Sequence, residues 1–130
     1  MELRSGTYAI QQVNVSAIAE QFGTPVYVYD AAIIIRQIGS LRNAFRSVDL
    51  RVKYAAKALT NVSILKLMRK QGVGVDVVSI QEARLALHAG YQPEEIMFTP
   101  NGVSFHEVIE AVELSSTCLP LPQYLAPIIP

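Results

Sequence analysis

Apolar and polar positions follow two different periods along this chain of 130 residues. Short runs of β-branched and aromatic residues predict strands, at 26–29, 50–56, 75–78 and 96–99. The segments between them place apolar residues three and four positions apart, which is typical of amphipathic helices. Strand and helix therefore alternate roughly every 20 to 25 residues, as in βα units with parallel strands.

Side chains that cap helices mark where these helices begin. Asn14, Asp30 and Asn61 each precede an apolar pattern of helical period, and their side chains can accept hydrogen bonds from the first turn. The segments 79–82 and 104–107 both read Ser-x-x-Glu, the pattern of a capping box. A glycine marks the end of three predicted helices, at Gly23, Gly72 and Gly90.

The predicted fold class is α/β, a partial (β/α)8 barrel of the TIM type with about half of the βα units, because a full barrel needs ~250 residues. We expect residues 1–114 to form this N-terminal portion of the barrel. Residues 115–130 break the pattern with a proline-rich tail, and proline cannot join a central parallel ladder. The sequence leaves open whether this tail is a natural terminal arm or the result of a truncation or frameshift.

Composition narrows the classes of partner. Eleven basic and eleven acidic residues balance to zero net charge, so the sequence predicts no nucleic-acid partner and no acidic membrane surface. Neither a secretory signal nor an apolar run of about 20 residues is visible. A single cysteine, Cys118, excludes an internal disulfide framework and favours a cytoplasmic location. His88 and His106 are predicted to be helix-surface residues, and no metal site is expected.

Candidate chemistry lies in the segment Val-Lys-Tyr-Ala-Ala-Lys-Ala at residues 52–58. Lys53 lies within the predicted strand, where one face can point it to solvent, whereas Lys57 lies where the strand should end. The carboxyl end of a strand is where α/β proteins place reactive groups. A lysine amine with a lowered pKa can form a Schiff base with a carbonyl. The alternative is a surface lysine that follows a buried strand.

Four motifs in order resemble those of the fold-type III pyridoxal-phosphate decarboxylases, whose barrels are of the alanine racemase type. They are Phe-Gly-Thr-Pro-Val-Tyr-Val-Tyr-Asp at 22–30, Tyr-Ala-Ala-Lys-Ala at 54–58, Gly-Val-Gly-Val-Asp-Val-Val-Ser-Ile-Gln-Glu at 72–82 and Ile-Met-Phe-Thr-Pro-Asn-Gly at 96–102. The resemblance runs from about Ile18 to Leu114, and within the family it is greatest to the diaminopimelate decarboxylases.

The resemblance implies pyridoxal 5'-phosphate as the cofactor, a small-molecule amino-acid substrate and decarboxylation as the reaction, from meso-diaminopimelate to L-lysine and CO2. It implies that Lys57 binds the cofactor covalently and that Asp76 lies beside it. Tyr54 is a cofactor-binding candidate that either walls the pocket or packs beneath it. The full-length form is implied to be a homodimer.

Other matched positions have simpler explanations in local structure. Ser79 and Glu82 match site positions of the family, but a capping box accounts for both. Asn101 either lines the pocket or forms an Asn-Gly turn, and we favour the turn. The family usually has asparagine two residues after the lysine, where this chain has Leu59, and Asn61 follows two positions later.

Several features that the resemblance implies belong to later parts of the family's chains. These are a glycine-rich phosphate loop, an acidic partner for the pyridine nitrogen, arginines for the substrate and a cysteine-glutamate pair, and the surroundings of Cys118 do not match that pair. We therefore expect the 130-residue chain alone to be inactive. Two alternatives stay open: another fold-type III protein, such as an arginine or ornithine decarboxylase or a pyridoxal-phosphate homeostasis protein, and a non-catalytic fragment.

Overall fold

The computed structural model describes residues 1–4 and 6–116, and the chain divides into two compact units, Met1–Val48 and Asp49–Pro130. Of the predicted proline-rich tail, residues 117–130 lie outside the described part. The division of the chain at residue 114 stays a prediction. Across the described residues, every helix falls short of the length and apolar character that a membrane crossing requires.

The first unit begins with a small antiparallel sheet that the sequence patterns did not predict. Its strands, in the order β1-β2-β3, are Glu2–Arg4, Thr7–Ile10 and Val13–Asn14. Ile10 pairs with Val13, so Gln11 and Gln12 form a two-residue hairpin loop, and both have positive φ. Asn-Gly or Asp-Gly would be the usual sequence for such a loop, and Gln-Gln lacks that signal.

Two helices follow in this unit, α1 over Val15–Phe22 and α2 over Ala31–Ala44. The Asn14 side chain accepts a hydrogen bond from the Ser16 backbone N–H at 2.7 Å, and Asp30 accepts from the N–H groups of the first turn of α2. Gly23 ends α1 with a φ of 79°. Both predicted helix starts are confirmed. They could be predicted from the sequence because a capping side chain bonds to backbone N–H groups within three residues of itself.

The strand predicted at residues 26–29 is wrong: this segment has no ladder partner among the described residues. A strand is stabilised by hydrogen bonds to a neighbouring strand, and an apolar pattern alone supplies none. Tyr27 is 87% exposed and Tyr29 is 47% exposed. The apolar character of this segment is therefore not matched by burial within the first unit.

The second unit consists of alternating strands and helices. In chain order these are β4 (Lys53–Ala55), a 3-10 helix (Ala56–Ala58), α3 (Val62–Lys70), β5 (Gly74–Val77), α4 (Ile80–His88), a 3-10 helix (Pro93–Glu95), β6 (Ile96–Phe98) and α5 (Phe105–Ser116). The three strands form one parallel sheet in the order β4-β5-β6. The predicted α/β class with parallel strands is confirmed; β4 and β6 are shorter than predicted, and β5 has the predicted length but begins one residue earlier.

The helices cover one face of this sheet. Val75 and Val77 are fully buried and pack against Leu65 of α3 and Ala86 of α4. The parallel register brings Asp76 beside Ala55 and Met97, and these three residues lie on the opposite face because side chains alternate along a strand. Met97 is 46% exposed, so this second face is much less covered than the first.

Candidate active site

Lys57 lies immediately beyond the carboxyl end of β4. The strand ends at Ala55, and the 3-10 turn that contains Lys57 is closed by a hydrogen bond of 3.0 Å from the Leu59 N–H to the Ala56 carbonyl. Its side chain is exposed and makes no hydrogen bond or ion pair within residues 1–4 and 6–116. The predicted position at the end of the strand is confirmed, and the amine is accessible to a ligand.

Asp76 lies on the neighbouring strand, on the sheet face away from the helices. It pairs in register with Ala55, two residues before Lys57. The Thr99 hydroxyl donates a hydrogen bond of 2.6 Å to Asp76 Oδ1. The carboxyl ends of β4, β5 and β6 thus place an amine, a carboxylate and a hydroxyl at one edge of the sheet, as parallel α/β sheets do at their binding sites.

Tyr54 lies on the other face of β4. Its ring packs against the hydrophobic core that includes Val75, and its hydroxyl donates a hydrogen bond of 3.1 Å to the Leu59 carbonyl. This position matches the alternative in which Tyr54 packs beneath the pocket. Its hydroxyl also fastens the turn that carries Lys57, so Tyr54 acts on the site through the backbone, and a direct role in cofactor binding stays a prediction.

Ser79 and Glu82 act as helix caps. Ser79 Oγ accepts a hydrogen bond from the Glu82 N–H at 3.2 Å, and the Glu82 carboxylate accepts one of 2.8 Å from the N–H of Val78. The carboxylate therefore reaches one residue further back than in the reciprocal capping box that the sequence predicts. The second predicted box, Ser104 with Glu107, is reciprocal as expected.

Lys53 differs from Lys57 in its surroundings, although not as the sequence suggested. Its amine is not left to solvent: Lys53 is partly buried and donates a hydrogen bond of 3.0 Å to the Glu95 backbone carbonyl. Burial lowers the pKa of Lys53, and the nearby Arg51 lowers it further, while Asp76 and Glu95 act in the opposite direction. Lys53 thus lies at the amino end of β4, on the same sheet face as Asp76, whereas Lys57 follows four residues later, beyond the carboxyl end of the strand.

Sequence reasoning missed Thr99 and Glu95 as contributors to this face. Glu95 accepts hydrogen bonds from Arg69 Nε at 2.9 Å and from the Gln92 N–H at 2.6 Å. Burial raises the pKa of Glu95, but the Gln92 N–H and Arg69 outweigh it, and the pKa is lowered. Thr99 could have been found from its spacing, because a residue that follows a parallel strand lies at the ligand-binding edge.

Comparison with known proteins places the chain in a family. Residues 31–121 match the model of the pyridoxal binding domain of pyridoxal-dependent decarboxylases. The chain belongs to the pyridoxal-dependent decarboxylase family. The matched range, residues 31–121, contains every described strand and helix of the second unit. Lys57 and Asp76 lie within it.

Several diaminopimelate decarboxylases are similar to this family member. The enzyme of Bacillus subtilis is 38% identical over 116 residues, which cover 88% of this chain and 26% of the relative, and that of Escherichia coli K12 is 48% identical over 90 residues. The crystal structure of diaminopimelate decarboxylase from M. jannaschii in complex with L-lysine matches with a TM-score of 0.80 and 31% identity, covering 88% of this chain and 28% of that one. The chain spans about a quarter of the length of these relatives.

The residues at this sheet edge fit a pyridoxal cofactor. An aldehyde needs an accessible amine, which Lys57 supplies, and a carboxylate at Asp76 can hold a positively charged nitrogen. Ala55 and Ala58 flank the lysine with small side chains that leave room for a flat ring. The chemistry of these described residues is therefore suited to the aldehyde group of the cofactor.

Proposed function

We propose that this chain is the N-terminal part of a pyridoxal-phosphate-dependent amino-acid decarboxylase, whose reaction converts meso-diaminopimelate to L-lysine and CO2. The observation that carries the proposal is the accessible Lys57 at the carboxyl end of β4, beside the strand that carries Asp76. The identities of 38% and 48% with diaminopimelate decarboxylases support the choice of substrate. A cytoplasmic location and a homodimer of the full-length form are part of the same proposal.

Each residue has a definite task in this proposal. Lys57 would hold the cofactor, because an unprotonated lysine amine can condense with an aldehyde with loss of water; when free, the same nitrogen could carry a proton. Asp76 holds positive charge near that nitrogen. Pyridoxal phosphate, when bound, supplies a ring that accepts the electron pair left by departing CO2. The Tyr54 hydroxyl holds the turn so that the lysine projects from a fixed backbone.

Borohydride trapping tests the role of Lys57 directly. An amine and an aldehyde join with loss of water, and hydride from borohydride converts the product to a stable secondary amine. The 130-residue chain is incubated with pyridoxal phosphate, reduced, digested and examined by mass spectrometry. We expect the adduct on Lys57, and its loss in Lys57→Ala. An adduct that forms on Lys53 or Lys66 and never on Lys57 would contradict the proposal.

The matched control for this substitution is Lys66→Ala. Lys66 is exposed, as Lys57 is, and lies on α3 away from the sheet edge. Lys53→Ala is a less suitable control, because it also removes the hydrogen bond to Glu95 and so perturbs packing. Trapping on Lys57 should survive Lys66→Ala unchanged.

A chimera tests the decarboxylase function of the segment. The 90 residues of the Escherichia coli enzyme that match this chain are replaced by this chain's residues, and the chimera is expressed in a lysine-requiring strain that lacks diaminopimelate decarboxylase. We expect growth without added lysine, and no growth when the chimera carries Lys57→Ala. A folded chimera that binds the cofactor and releases no CO2 from meso-diaminopimelate would refute the assignment of this segment to that reaction.

A further inference from the structure

Thr99 is held on the same sheet face as Asp76 by the backbone. Its N–H donates a hydrogen bond of 2.9 Å to the Val77 carbonyl, so the ladder between β5 and β6 continues one residue beyond β6. Met97, two residues earlier, pairs with Asp76. Side chains two residues apart along an extended strand share a face, and Thr99 Oγ1 lies 2.6 Å from Asp76 Oδ1.

A hydroxyl that donates to a carboxylate at this distance forms a charge-assisted hydrogen bond, which is shorter and stronger than one between neutral groups. The bond occupies part of one carboxylate oxygen and favours the Asp76 rotamer that makes it. The other oxygen, Asp76 Oδ2, keeps its capacity to accept from a second donor. Since a backbone hydrogen bond holds the main chain of Thr99 to β5, the donor of Asp76 comes from a residue that is part of the sheet ladder.

We propose that Thr99 is a positioning residue that holds the Asp76 carboxylate in the orientation used by the pyridoxal-phosphate site at Lys57. This inference rests on the proposed function, because it assigns Asp76 to that site. Thr99 touches neither the substrate nor the cofactor in this proposal and acts only through Asp76. A hydroxyl is required at residue 99, so serine should replace threonine and valine, which has the same shape, should not.

The first test examines Asp76 without any cofactor. In the 130-residue chain, the Hα–Hβ coupling constants of Asp76, measured by NMR, report how many χ1 rotamers its side chain populates. We expect a single rotamer in the parent chain and in Thr99→Ser, and averaging among rotamers in Thr99→Val. Coupling constants that are the same in Thr99→Val as in the parent would overturn the proposal.

The second test measures the rate at which borohydride-stable adduct accumulates on Lys57. We expect Thr99→Val to slow adduct formation about fivefold, and Thr99→Ser to stay within about twofold of the parent. In an Asp76→Ala background, which removes the acceptor of the Thr99 hydrogen bond, Thr99→Val should have no further effect. Equal slowing by Thr99→Val in both backgrounds would show a general structural role and would refute positioning through Asp76.

The two tests separate failure of this inference from failure of the proposed function. Adduct that forms only on other lysines contradicts the role of Lys57, and the coupling constants still decide whether Thr99 orients Asp76. If adduct forms on Lys57 at the same rate in Thr99→Val as in the parent, the positioning role is refuted and the role of Lys57 is unaffected.

Discussion

Gly74 lies at a point in the sheet that has no room for a side chain. A Cβ built at residue 74 would lie 2.7 Å from the Glu95 carbonyl oxygen and 2.8 Å from Lys53 Cδ, and real Cβ atoms do not approach other heavy atoms so closely. The Glu95 oxygen belongs to the backbone that leads into β6, so it cannot move without shifting the strand. Gly74→Ala should therefore distort the amino end of the sheet.

The size of the effect can be worked from these contacts. Overpacking costs about 1–3 kcal/mol, and displacing Lys53 removes its hydrogen bond to Glu95, which adds about 1 kcal/mol. Replacing glycine by alanine also stabilises the fold by about 0.4–1 kcal/mol, because it lowers the conformational entropy of the unfolded chain. We expect Gly74→Ala to lower the free energy of unfolding of the second unit by about 1–3 kcal/mol.

Amide hydrogen exchange in increasing urea measures this free energy separately for each unit, through the amides of β5 and of α2. The matched control is Gly39→Ala within α2, where nothing lies within 4 Å of an added Cβ; it should stabilise the first unit by about 0.5–1 kcal/mol. Adding Lys53→Ala to Gly74→Ala relieves only the side-chain contact, so stability should recover in part. A Gly74→Ala chain as stable as the parent would refute the steric reasoning.

Three further predictions concern burial, pH and activity. Tyr91 is 2% exposed and its hydroxyl has no hydrogen-bond partner in the described part of the chain, so Tyr91→Phe should be neutral or stabilising by up to about 1 kcal/mol in urea denaturation; a loss above about 1 kcal/mol would contradict this. Burial also raises the pKa of Tyr91 to about 12. The lowered pKa of Glu95 contributes stability that is present above the carboxyl's unfolded pKa and is lost as pH falls through the lower folded value. Glu95→Gln should therefore flatten the acid limb of the thermal stability profile, and an unchanged limb would show that Glu95 does not contribute to it. The purified 130-residue chain should release no CO2 from meso-diaminopimelate in a radiometric assay, because it spans about a quarter of its relatives; measurable turnover would refute this.

Local interactions let the sequence determine much of this protein. The caps at Asn14, Asp30 and Asn61 each act within three residues of the side chain that forms them, and all three helices begin where predicted. The alternation of apolar strands with amphipathic helices likewise predicted the parallel sheet of the second unit. The position of Lys57 was predicted for the same reason, because the neighbouring residues indicate where β4 ends.

Tertiary structure decided what depends on pairing between distant residues. The apolar segment 26–29 forms no strand because an apolar pattern supplies no ladder partner, while the polar Gln11-Gln12 loop joins strands that do pair. Which face of β4 carries Tyr54 follows from its register with β5, which brings that ring onto the core. The hydrogen bond from Thr99 to Asp76 joins residues 23 positions apart, and no local pattern contains it. The sequence therefore predicted the helix starts, the parallel strands and the position of Lys57 at a strand end, whereas the pairing of strands determined which side chains meet.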